Sequence, residues 1–532
     1  MFSRFLCGHS FRKKQNHPWK EIEDEAEHLD ELSSWNASDN SLMFQAFEWN
    51  VPDDQAHWRR LYHVLPTLKA MGIDNVWIPP GCKAMNPSSN GYAVYDLYDL
   101  GEFDQKGSQP TKWGTKEDLQ QLVSRAQELG LGIYWDAVLN HKAGADSTER
   151  FPAVKVDPQN RNQEISLSEE IEGWVAYNFP GRGDQHSSLK YRWSHFSGVD
   201  WDESRQKQAI FKISGPDKGW ATDVSPENGN YDYLMFSNLD YSNSEVRDDV
   251  LHWGNWITTE LPLSGMRLDA AKHYSAEFQK TFIEELRGRL GKKFFFVGDY
   301  WNGDVYELLD YLQQMEHQLS LFDVPLLSRF SAISHTRGAD MRQIFQDTLV
   351  QKSPEHAVTF VANHDTQPGQ ALETPIAAFF VPIAYALILL RDKGQPCVFY
   401  GDLFGITADN KLSAGSHWTG KLSALTQARK LYANGAQRDY FDKENCIAFV
   451  RYGNARHPFG LACIMSNAGP SQKLMFVGRT HAGERWTDFL ESRQETVKID
   501  RKGYGMFPVA EHSVSVWVNS SVECRMNVRD FR

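Results

Sequence analysis

The sequence predicts an α/β protein built on a (β/α)8 barrel, with a subdomain inserted after the third strand and a C-terminal antiparallel β-sandwich domain. Three observations lead to this prediction. Short apolar runs alternate with amphipathic helical patterns over most of the chain. One connection in this series, residues 142–243, is far too long for a single crossover helix. Beyond residue 435 the helical patterns stop and only strand-like runs remain.

Eight apolar runs are the candidate barrel strands: Leu42–Phe47, Asn75–Ile78, Gly132–Val138, Gly265–Leu268, Phe294–Val297, Leu319–Val324, Ala357–Val361 and Cys397–Tyr400. Helical patterns lie between many of them, at His57–Met71, Lys116–Leu129, Val246–Glu260 and Ala276–Leu290. Strands that alternate with helical crossovers indicate a parallel sheet, and eight of them indicate a closed barrel. We therefore assign residues 39–141 and 244–434 to the barrel.

Three further segments complete the predicted organisation. Residues 1–38 are polar and charged, and we expect an N-terminal extension outside the catalytic fold. Residues 142–243, rich in Trp, Gly and Asp, form the predicted inserted domain. Residues 435–532 form the predicted C-terminal domain, with strand candidates at Asn445–Arg451, Leu461–Met465, Lys473–Val477, Glu495–Ile499 and Ser513–Val518.

Composition excludes several classes of protein. The 532 residues carry a net charge of −13, which argues against nucleic-acid binding because phosphate recognition needs basic patches. No apolar run approaches the roughly 20 residues of a membrane-spanning helix. The six cysteines lie far apart without CxxC spacing, which indicates free thiols in a reducing compartment. We therefore expect a cytoplasmic monomer that binds neither nucleic acid nor membranes.

Polar side chains gather at the C-terminal ends of four predicted strands, where barrel enzymes place their catalytic groups. They are Asp136, Asn140 and His141 after the third strand, Arg267, Asp269, Lys272 and His273 after the fourth, Asp299 after the fifth, and Asn363, His364 and Asp365 after the seventh. Taken singly, each has a structural explanation: a cap, a turn residue or a buried ion pair. Their occurrence at the same place on four strands predicts an active site at the barrel mouth.

The pair Arg267 and Asp269 suggests the chemistry. Residues two apart on a strand point to the same side, so the guanidinium is expected beside the carboxylate. An adjacent positive charge favours the ionised carboxylate. An ionised carboxylate held in place is what a covalent glycosyl nucleophile requires.

Longer motifs carry a family resemblance. They are Phe47-Glu48-Trp49, the stretch from Tyr95 to Phe103 (YDLYDLGEF), Asp200-Trp201-Asp202-Glu203-Ser204, the stretch from Glu227 to Met235 (ENGNYDYLM), and Asn363-His364-Asp365-Thr366-Gln367-Pro368-Gly369-Gln370. The chain resembles the α-amylase family of glycoside hydrolases (family 13) from about Leu42 to Val518. It is similar in particular to the liquefying bacterial α-amylases and their intracellular fungal relatives. The resemblance implies a retaining enzyme that acts on α-1,4-glucans such as maltooligosaccharides, starch or glycogen.

The resemblance also implies a role for each site residue. Asp269 matches the nucleophile, Asp299 the general acid, and Asp365 the carboxylate that favours the distorted transition state. Arg267 would orient Asp269 and itself be braced by Asp136. The expected sugar-binding residues are Tyr92, His141 and His364 at the cleavage point, and Lys272, His273 and Trp301 on the leaving-group side.

The chain departs from the family at the acid. The family has glutamate where this chain has Asp299. Aspartate is one methylene shorter, which sets its carboxyl back by roughly 1–1.5 Å. A misplacement of about 1 Å can cost on the order of 100-fold in rate. We expect a weakened hydrolase or transglycosylase, with a catalytically disabled glucan-binding or regulatory protein as the alternative. An isomerase of the trehalose synthase kind is disfavoured by the inserted domain and by the Asp365-Thr366-Gln367-Pro368 motif.

The second departure concerns the metal. In the family a calcium ion joins barrel and inserted domain, and the matching ligands here are Asn140, Asp232, Asn238 and the backbone carbonyl of His273. Position 238 is usually aspartate, and fewer carboxylates generally weaken calcium binding. The resemblance therefore implies one Ca²⁺ site, with a hydrogen-bonded interface free of metal as the alternative. The additional metal cluster of the bacterial relatives is not expected, because its acidic positions are Ser197 and Ala221 here.

Overall fold

The computed structural model describes residues 40–408, 411–412 and 419–521. Its centre is a closed barrel of eight parallel strands. We label them β1 to β8: Met43–Gln45, Asn75–Trp77, Gly132–Ala137, Gly265–Leu268, Phe295–Gly298, Ser320–Phe322, Ala357–Phe360 and Gln395–Phe399. Every strand pairs with its neighbours along the chain, and β1 closes the ring by pairing with β8. The predicted (β/α)8 barrel is confirmed, with each predicted strand in place.

Helices surround the barrel. They are α1 His57–Ala70, α2 Lys116–Glu128, α3 Ser244–Glu260, α4 Ala276–Leu290, α5 Val305–Gln314, α6 Val324–His335, α7 Leu349–Lys352, α8 Val381–Leu390, α9 Tyr400–Phe404 and α10 Thr419–Leu431. Side chains cap several N-termini by accepting backbone N–H groups, as Thr115 does for α2, Asn243 for α3 and Ser275 for α4. In the described residues no helix is long and apolar enough to span a membrane.

The barrel strands are almost wholly buried because side chains cover both of their faces. Aromatic rings from three of these strands, Trp77 on β2, Phe322 on β6 and Phe360 on β7, pack against one another. Parallel strands all end at the same rim. The residues that follow β3, β4, β5 and β7 therefore meet above one packed core.

The long connection after β3 folds into a sheet of its own. Its strands are His141–Lys142, Ser147–Asp157, Asn160–Glu164, Glu169–Ala176, Phe196–Asp202, Lys207–Ile213 and Ser237–Leu239. The first and last of these pair with each other, matching His141 to Asn238. The inserted sheet thus begins and ends directly beside the end of β3. Short strands Lys83–Ala84 and Val94–Asp96 pair with each other, as do Thr407–Ala408 and Lys411–Leu412.

The C-terminal part is antiparallel, as predicted. One sheet contains the strands Gln437–Lys443, Cys446–Arg451, Leu461–Ser466, Ser513–Asn519, Arg485–Asp488 and Thr496–Lys498, in that spatial order. A second pair, Ser471–Phe476 and Tyr504–Val509, packs on it through Trp486, Phe507 and Trp517. The predicted extension, residues 1–38, lies outside the described residues, as does the end of the predicted C-terminal domain.

Candidate active site

One guanidinium ties three carboxylates together at the barrel mouth. Nη1 of Arg267 donates to Asp136 at 2.7 Å and to Asp269 at 2.9 Å, and Nη2 donates to Asp299 at 2.6 Å. The predicted contacts of Arg267 with Asp136 and Asp269 are present. The contact with Asp299 was not predicted, and it turns the expected acid toward the arginine.

Backbone bonds between adjacent strand ends hold this cluster in place. The N–H of Asp269 donates to Ala137 at the end of β3, at 3.0 Å. The N–H of Asp299 donates to Leu268 at the end of β4, at 2.9 Å, and its carbonyl accepts from Ala271. Ala270, between these bonds, has a φ of 53° and turns the chain away from the strand. The positions of both carboxyl groups are therefore set by the register of β3, β4 and β5.

The expectation that Arg267 alone keeps Asp269 ionised is incomplete. Burial raises the pKa of Asp269 well above its usual value, because a buried carboxylate loses its hydration. Arg267 lowers this pKa, whereas the carboxylates of Asp136, Asp299 and Asp365 raise it further. Burial, with Asp299 next, also raises the pKa of Asp365 to about 7. One arginine thus faces four acidic groups, and Asp269 and Asp365 keep their protons to a higher pH than exposed aspartates do.

A stack of three rings borders the carboxylates. Tyr92 lies parallel to His364, with ring centroids 5.0 Å apart, and Trp49 stacks on both rings. The Tyr92 hydroxyl donates to Asp136 at 2.9 Å, which fixes the ring over the cluster. His364 is held by the side-chain amide of Gln45 at 2.9 Å on one ring nitrogen and lies 3.3 Å from Asp365 through the other.

The remaining predicted sugar-binding residues line the same rim. Nε2 of His141 bonds the Tyr92 carbonyl at 2.8 Å. Lys272 donates to the carbonyl of Trp301 at 2.9 Å and to Glu227 at 2.7 Å. Nδ1 of His273 bonds the carbonyl of Tyr231 at 2.9 Å. Burial lowers the pKa of His141 to about 4 and that of His273 to about 3, so both imidazoles are neutral at pH 7.

Three buried oxygen donors lie where the inserted sheet leaves the barrel. The side-chain carbonyl oxygens of Asn140 and Asn238 are buried and have no hydrogen-bond partner in the described structure. Asp232 lies beside them: Ser197 donates its hydroxyl to Asp232 at 3.0 Å and accepts from Asn238 at 2.9 Å. Burial raises the pKa of Asp232 to about 7. A buried carbonyl oxygen that accepts no hydrogen bond lowers the stability of the fold unless a cation or a water pairs with it. This set of oxygens therefore fits a hard cation such as Ca²⁺.

Side chains of His, Cys, Asp and Glu alone do not form such a site. Among the residues that the structure describes, no group of three or more of them is arranged to hold a metal ion. The candidate cation site therefore depends on amide oxygens, one carboxylate and main-chain carbonyls. The replacement of the usual aspartate by Asn238 is compatible with this geometry, because the amide keeps an oxygen at the same place.

Two family models match this chain. The catalytic domain of α-amylase matches residues 45–459, and the α-amylase C-terminal domain matches residues 461–518. The chain belongs to the α-amylase family.

Individual members of the α-amylase family are similar over nearly the whole chain. Identity to the glucan 1,4-α-maltohexaosidase of Bacillus sp. (strain 707) is 46%, covering 90% of this chain and 92% of the relative. Identity to the cytoplasmic α-amylase of Escherichia coli (strain K12) is 41%, covering 91% and 99%. The crystal structure of an Anoxybacillus α-amylase matches in fold with a TM-score of 0.61 at 17% identity, covering 90% and 98%.

Several residues of this α-amylase-family site were missed at the sequence level. Gln45 and Trp77 end β1 and β2 and bind His364 and Asp136 through their side chains. Both are polar groups at the end of an apolar run, the same signal that identified the other strand ends. The clustering of Asn140 with Asn238 needed the fold, since it is the pairing of Asn238 with His141, and the bond from the N–H of Leu239 to the carbonyl of Asn140, that bring them together.

An aromatic pair on the inserted sheet was also missed. The indole N–H groups of Trp174 and Trp201 both donate to the Glu203 carboxylate, at 3.0 and 2.8 Å. Trp174 is 43% exposed. Its carbonyl accepts the hydroxyl of Ser237, on the strand that pairs with His141–Lys142. An exposed indole held in one orientation is a suitable surface for stacking on a sugar ring.

Proposed function

We propose that the protein is a retaining α-1,4-glucan hydrolase with transglycosylase capacity, acting on maltooligosaccharides, starch or glycogen. The observation that carries the proposal is the convergence of Asp269, Asp299 and Asp365, from three strand ends, around Arg267. Relatives named α-amylase and glucan 1,4-α-maltohexaosidase, alike over nine-tenths of the chain, support the same chemistry.

The proposed mechanism uses two carboxylates in turn. Asp269 attacks the anomeric carbon and forms the covalent glycosyl-enzyme, while Asp299 donates a proton to the leaving glycosidic oxygen. Asp299 then takes a proton from the water, or from the sugar hydroxyl, that releases the glycosyl group. Asp365 and His364 hold the ring hydroxyls of the reacting sugar, and Tyr92 stacks on its face.

The Arg267–Asp299 contact is the basis for a weakened acid step. One carboxylate oxygen of Asp299 is 2.6 Å from Nη2 of Arg267 and is therefore directed toward the arginine. The guanidinium has no acceptor atom, so the acid proton cannot lie on the Asp299 oxygen that faces Arg267. When the glycosidic bond breaks, either this oxygen has turned away from Arg267 or the other carboxyl oxygen donates the proton. Glutamate would carry its carboxyl roughly 1–1.5 Å farther from the backbone, into the cleft.

The test is product formation from maltoheptaose, separated by chromatography, with Asp269→Asn as the blank. Asp299→Glu is expected to raise the rate roughly 10- to 100-fold, because it restores the reach of the acid. Asp310→Glu, the same change at an exposed position of α5, is the matched control and should leave the rate unchanged.

The outcomes distinguish the candidate functions. Products above the Asp269→Asn blank, shorter or longer than maltoheptaose, support the retaining enzyme and report its balance of hydrolysis and transfer. Binding of maltoheptaose without products in either the wild type or Asp299→Glu would favour the alternative, a glucan-binding protein on an amylase scaffold. Equal rates in both proteins would mean that the acid's reach does not limit the reaction.

One calcium ion is part of the proposal. The ion would be held by Asn140, Asp232, Asn238 and the backbone carbonyl of His273. It would give the buried amide oxygens of Asn140 and Asn238 the partner that no hydrogen bond supplies. Its role would be structural, fixing the base of the inserted sheet against the end of β3. His273 would thereby link the ion to the sugar-binding rim.

The remaining features of the proposal concern the setting of the enzyme. We infer a cytoplasmic monomer. The cytoplasmic location is supported by the relative named cytoplasmic α-amylase and by the buried free thiols of Cys82, Cys397, Cys446 and Cys463. We also retain residues 39–141 and 244–434 as the barrel domain, 142–243 as the inserted domain, and 435–532 as the C-terminal domain. We also infer that Trp174, exposed on the inserted sheet and held by Glu203, offers a stacking surface to long glucan chains.

A further inference from the structure

A glutamate in the first turn of α5 joins the loop that follows Asp299 to the inserted domain. Oε1 of Glu307 accepts the hydroxyls of Tyr300 and Ser225, each at 2.8 Å. Oε2 accepts the side-chain amide of Asn302 at 2.7 Å. Both carboxylate oxygens are therefore occupied, and hydrogen bonds to a carboxylate are stronger than those between neutral groups.

This glutamate holds the two chain neighbours of Trp301. The backbone carbonyl of Trp301 is held as well, because it accepts from Nζ of Lys272 at 2.9 Å. The carbonyl of Lys272 in turn accepts the N–H of Ser225 at 3.0 Å. The half-buried indole packs against Phe360, with ring centroids 6.3 Å apart. Hydrogen bonds through Lys272, Ser225 and Glu307 thus close a ring around Trp301.

The groups that Glu307 holds are themselves fixed. Ser225 and Tyr300 are buried. The side-chain oxygen of Asn302 accepts the N–H of Asp304 at 2.7 Å. That bond directs the amide nitrogen of Asn302 toward Glu307. The geometry at this position therefore requires two acceptor oxygens on residue 307.

We propose that Glu307 is a positioning residue for the leaving-group side of the cleft. The inference rests on the proposed glucan hydrolysis, in which Trp301 and Lys272 bind the sugar that leaves. By fixing the loop around Trp301, Glu307 holds this surface in place before the sugar binds, which lowers the ordering cost of productive binding. Because its carboxylate oxygens are occupied, Glu307 acts through the loop and not on the substrate.

Two substrates distinguish this role from a general one. Cleavage of maltoheptaose places a sugar on the leaving-group side, whereas α-maltotriosyl fluoride places only fluorine there. With the fluoride, Asp269 attacks the anomeric carbon, the C–F bond breaks, and fluoride leaves with the electron pair and needs no proton. A defect confined to the leaving-group side therefore slows the first substrate and spares the second. Both are measured in the wild type and again in the Asp299→Glu background, where the longer acid is expected to speed cleavage of maltoheptaose.

The test compares kcat/KM for both substrates in the full chain, with Asp269→Asn as the blank. In Glu307→Gln the new amide nitrogen meets that of Asn302, donor against donor, and Asn302 cannot reverse without losing its bond to Asp304. The value for maltoheptaose should fall roughly tenfold, the effect of one lost bond to a charged group, and that for the fluoride should stay within about twofold. Glu117→Gln, at an exposed glutamate in the first turn of α2, is the matched control and should change neither.

A second substitution should restore the lost bond with donor and acceptor exchanged. When Asn302→Asp is added to Glu307→Gln, one oxygen of the new aspartate accepts the glutamine amide and the other keeps the N–H of Asp304. The double variant should recover most of the lost kcat/KM for maltoheptaose. Two independent losses of stability would add instead of cancelling.

Specific results would overturn the inference. A parallel fall for both substrates in Glu307→Gln would show a general structural defect, and an unchanged value for maltoheptaose would show that the loop needs no such support. Failure of Asn302→Asp to restore activity would exclude the contact with Asn302 as the cause. Fluoride release without cleavage of maltoheptaose in either background would show that no leaving sugar is bound productively. The proposed function fails separately, if the wild type releases no fluoride above the Asp269→Asn blank.

Discussion

Replacement of Arg267 by lysine is expected to lower kcat/KM for maltoheptaose roughly 10- to 150-fold. Arg267 makes carboxylate contacts of 2.7, 2.9 and 2.6 Å, using two nitrogen atoms of its planar group. Lysine ends in a single nitrogen and cannot span Asp136, Asp269 and Asp299 together, so at least one contact is lost. A hydrogen bond between charged groups contributes about 1.5–3 kcal/mol, which converts to the stated range of rates.

The same substitution should shift the pH dependence in a defined direction. Burial and the neighbouring carboxylates raise the pKa of Asp269, and Arg267 opposes them. Weakening the arginine's contribution raises this pKa further, and the nucleophile must be ionised to react. The rising limb of kcat/KM against pH should therefore move to higher pH, which a simple loss of folded protein would not produce.

The assay is release of reducing ends from maltoheptaose over a range of about pH 4 to pH 9. Arg125→Lys serves as the control, because Arg125 lies on α2, outside the carboxylate cluster, and pairs with the exposed Glu128. A variant Arg267→Lys that kept half of the wild-type rate with an unshifted profile would refute the reasoning. Arginine would then be replaceable by any cation, and the cluster geometry would not govern the reaction.

Three further predictions concern the metal, the substrate and the fold. Asn238→Asp should increase the difference between the Tm in calcium and the Tm in EDTA. With calcium the added carboxylate binds the cation, and without calcium it repels the buried Asp232. An unchanged difference would argue against the site. Trp174→Ala should raise KM for long maltooligosaccharides and leave KM for maltotriose unchanged; Tyr306→Phe, at another exposed aromatic residue, is the control. Asp323→Ala should lower Tm, since Asp323 accepts the N–H groups of Leu326, Leu349 and Val350 at 3.0, 3.0 and 2.7 Å. Three hydrogen bonds to a charged group, roughly 4.5–9 kcal/mol in total, are lost there; part of this loss is offset because the buried carboxylate, whose pKa burial raises to about 6, is removed. An unchanged Tm would contradict this.

The strand ends show how much a sequence pattern can determine. The apolar runs of β3, β4, β5 and β7 are followed by polar residues, and this local pattern was enough to predict both the barrel and the rim at which Asp269, Asp299 and Asp365 meet. Alternation along a strand also placed Arg267 beside Asp269, as found at 2.9 Å. These features depend on periodicity and on the common direction of parallel strands, which the chain encodes locally.

Other properties were decided only by tertiary structure. The direction of Asp299 toward Arg267 depends on the register between β4 and β5, and the raised pKa of Asp269 depends on burial among three other carboxylates. The unpaired oxygens of Asn140 and Asn238 arise where segments distant in the chain pack together. Desolvation and the pairing of buried polar atoms are sums over all neighbours in space, and periodicity along the chain carries no information about them.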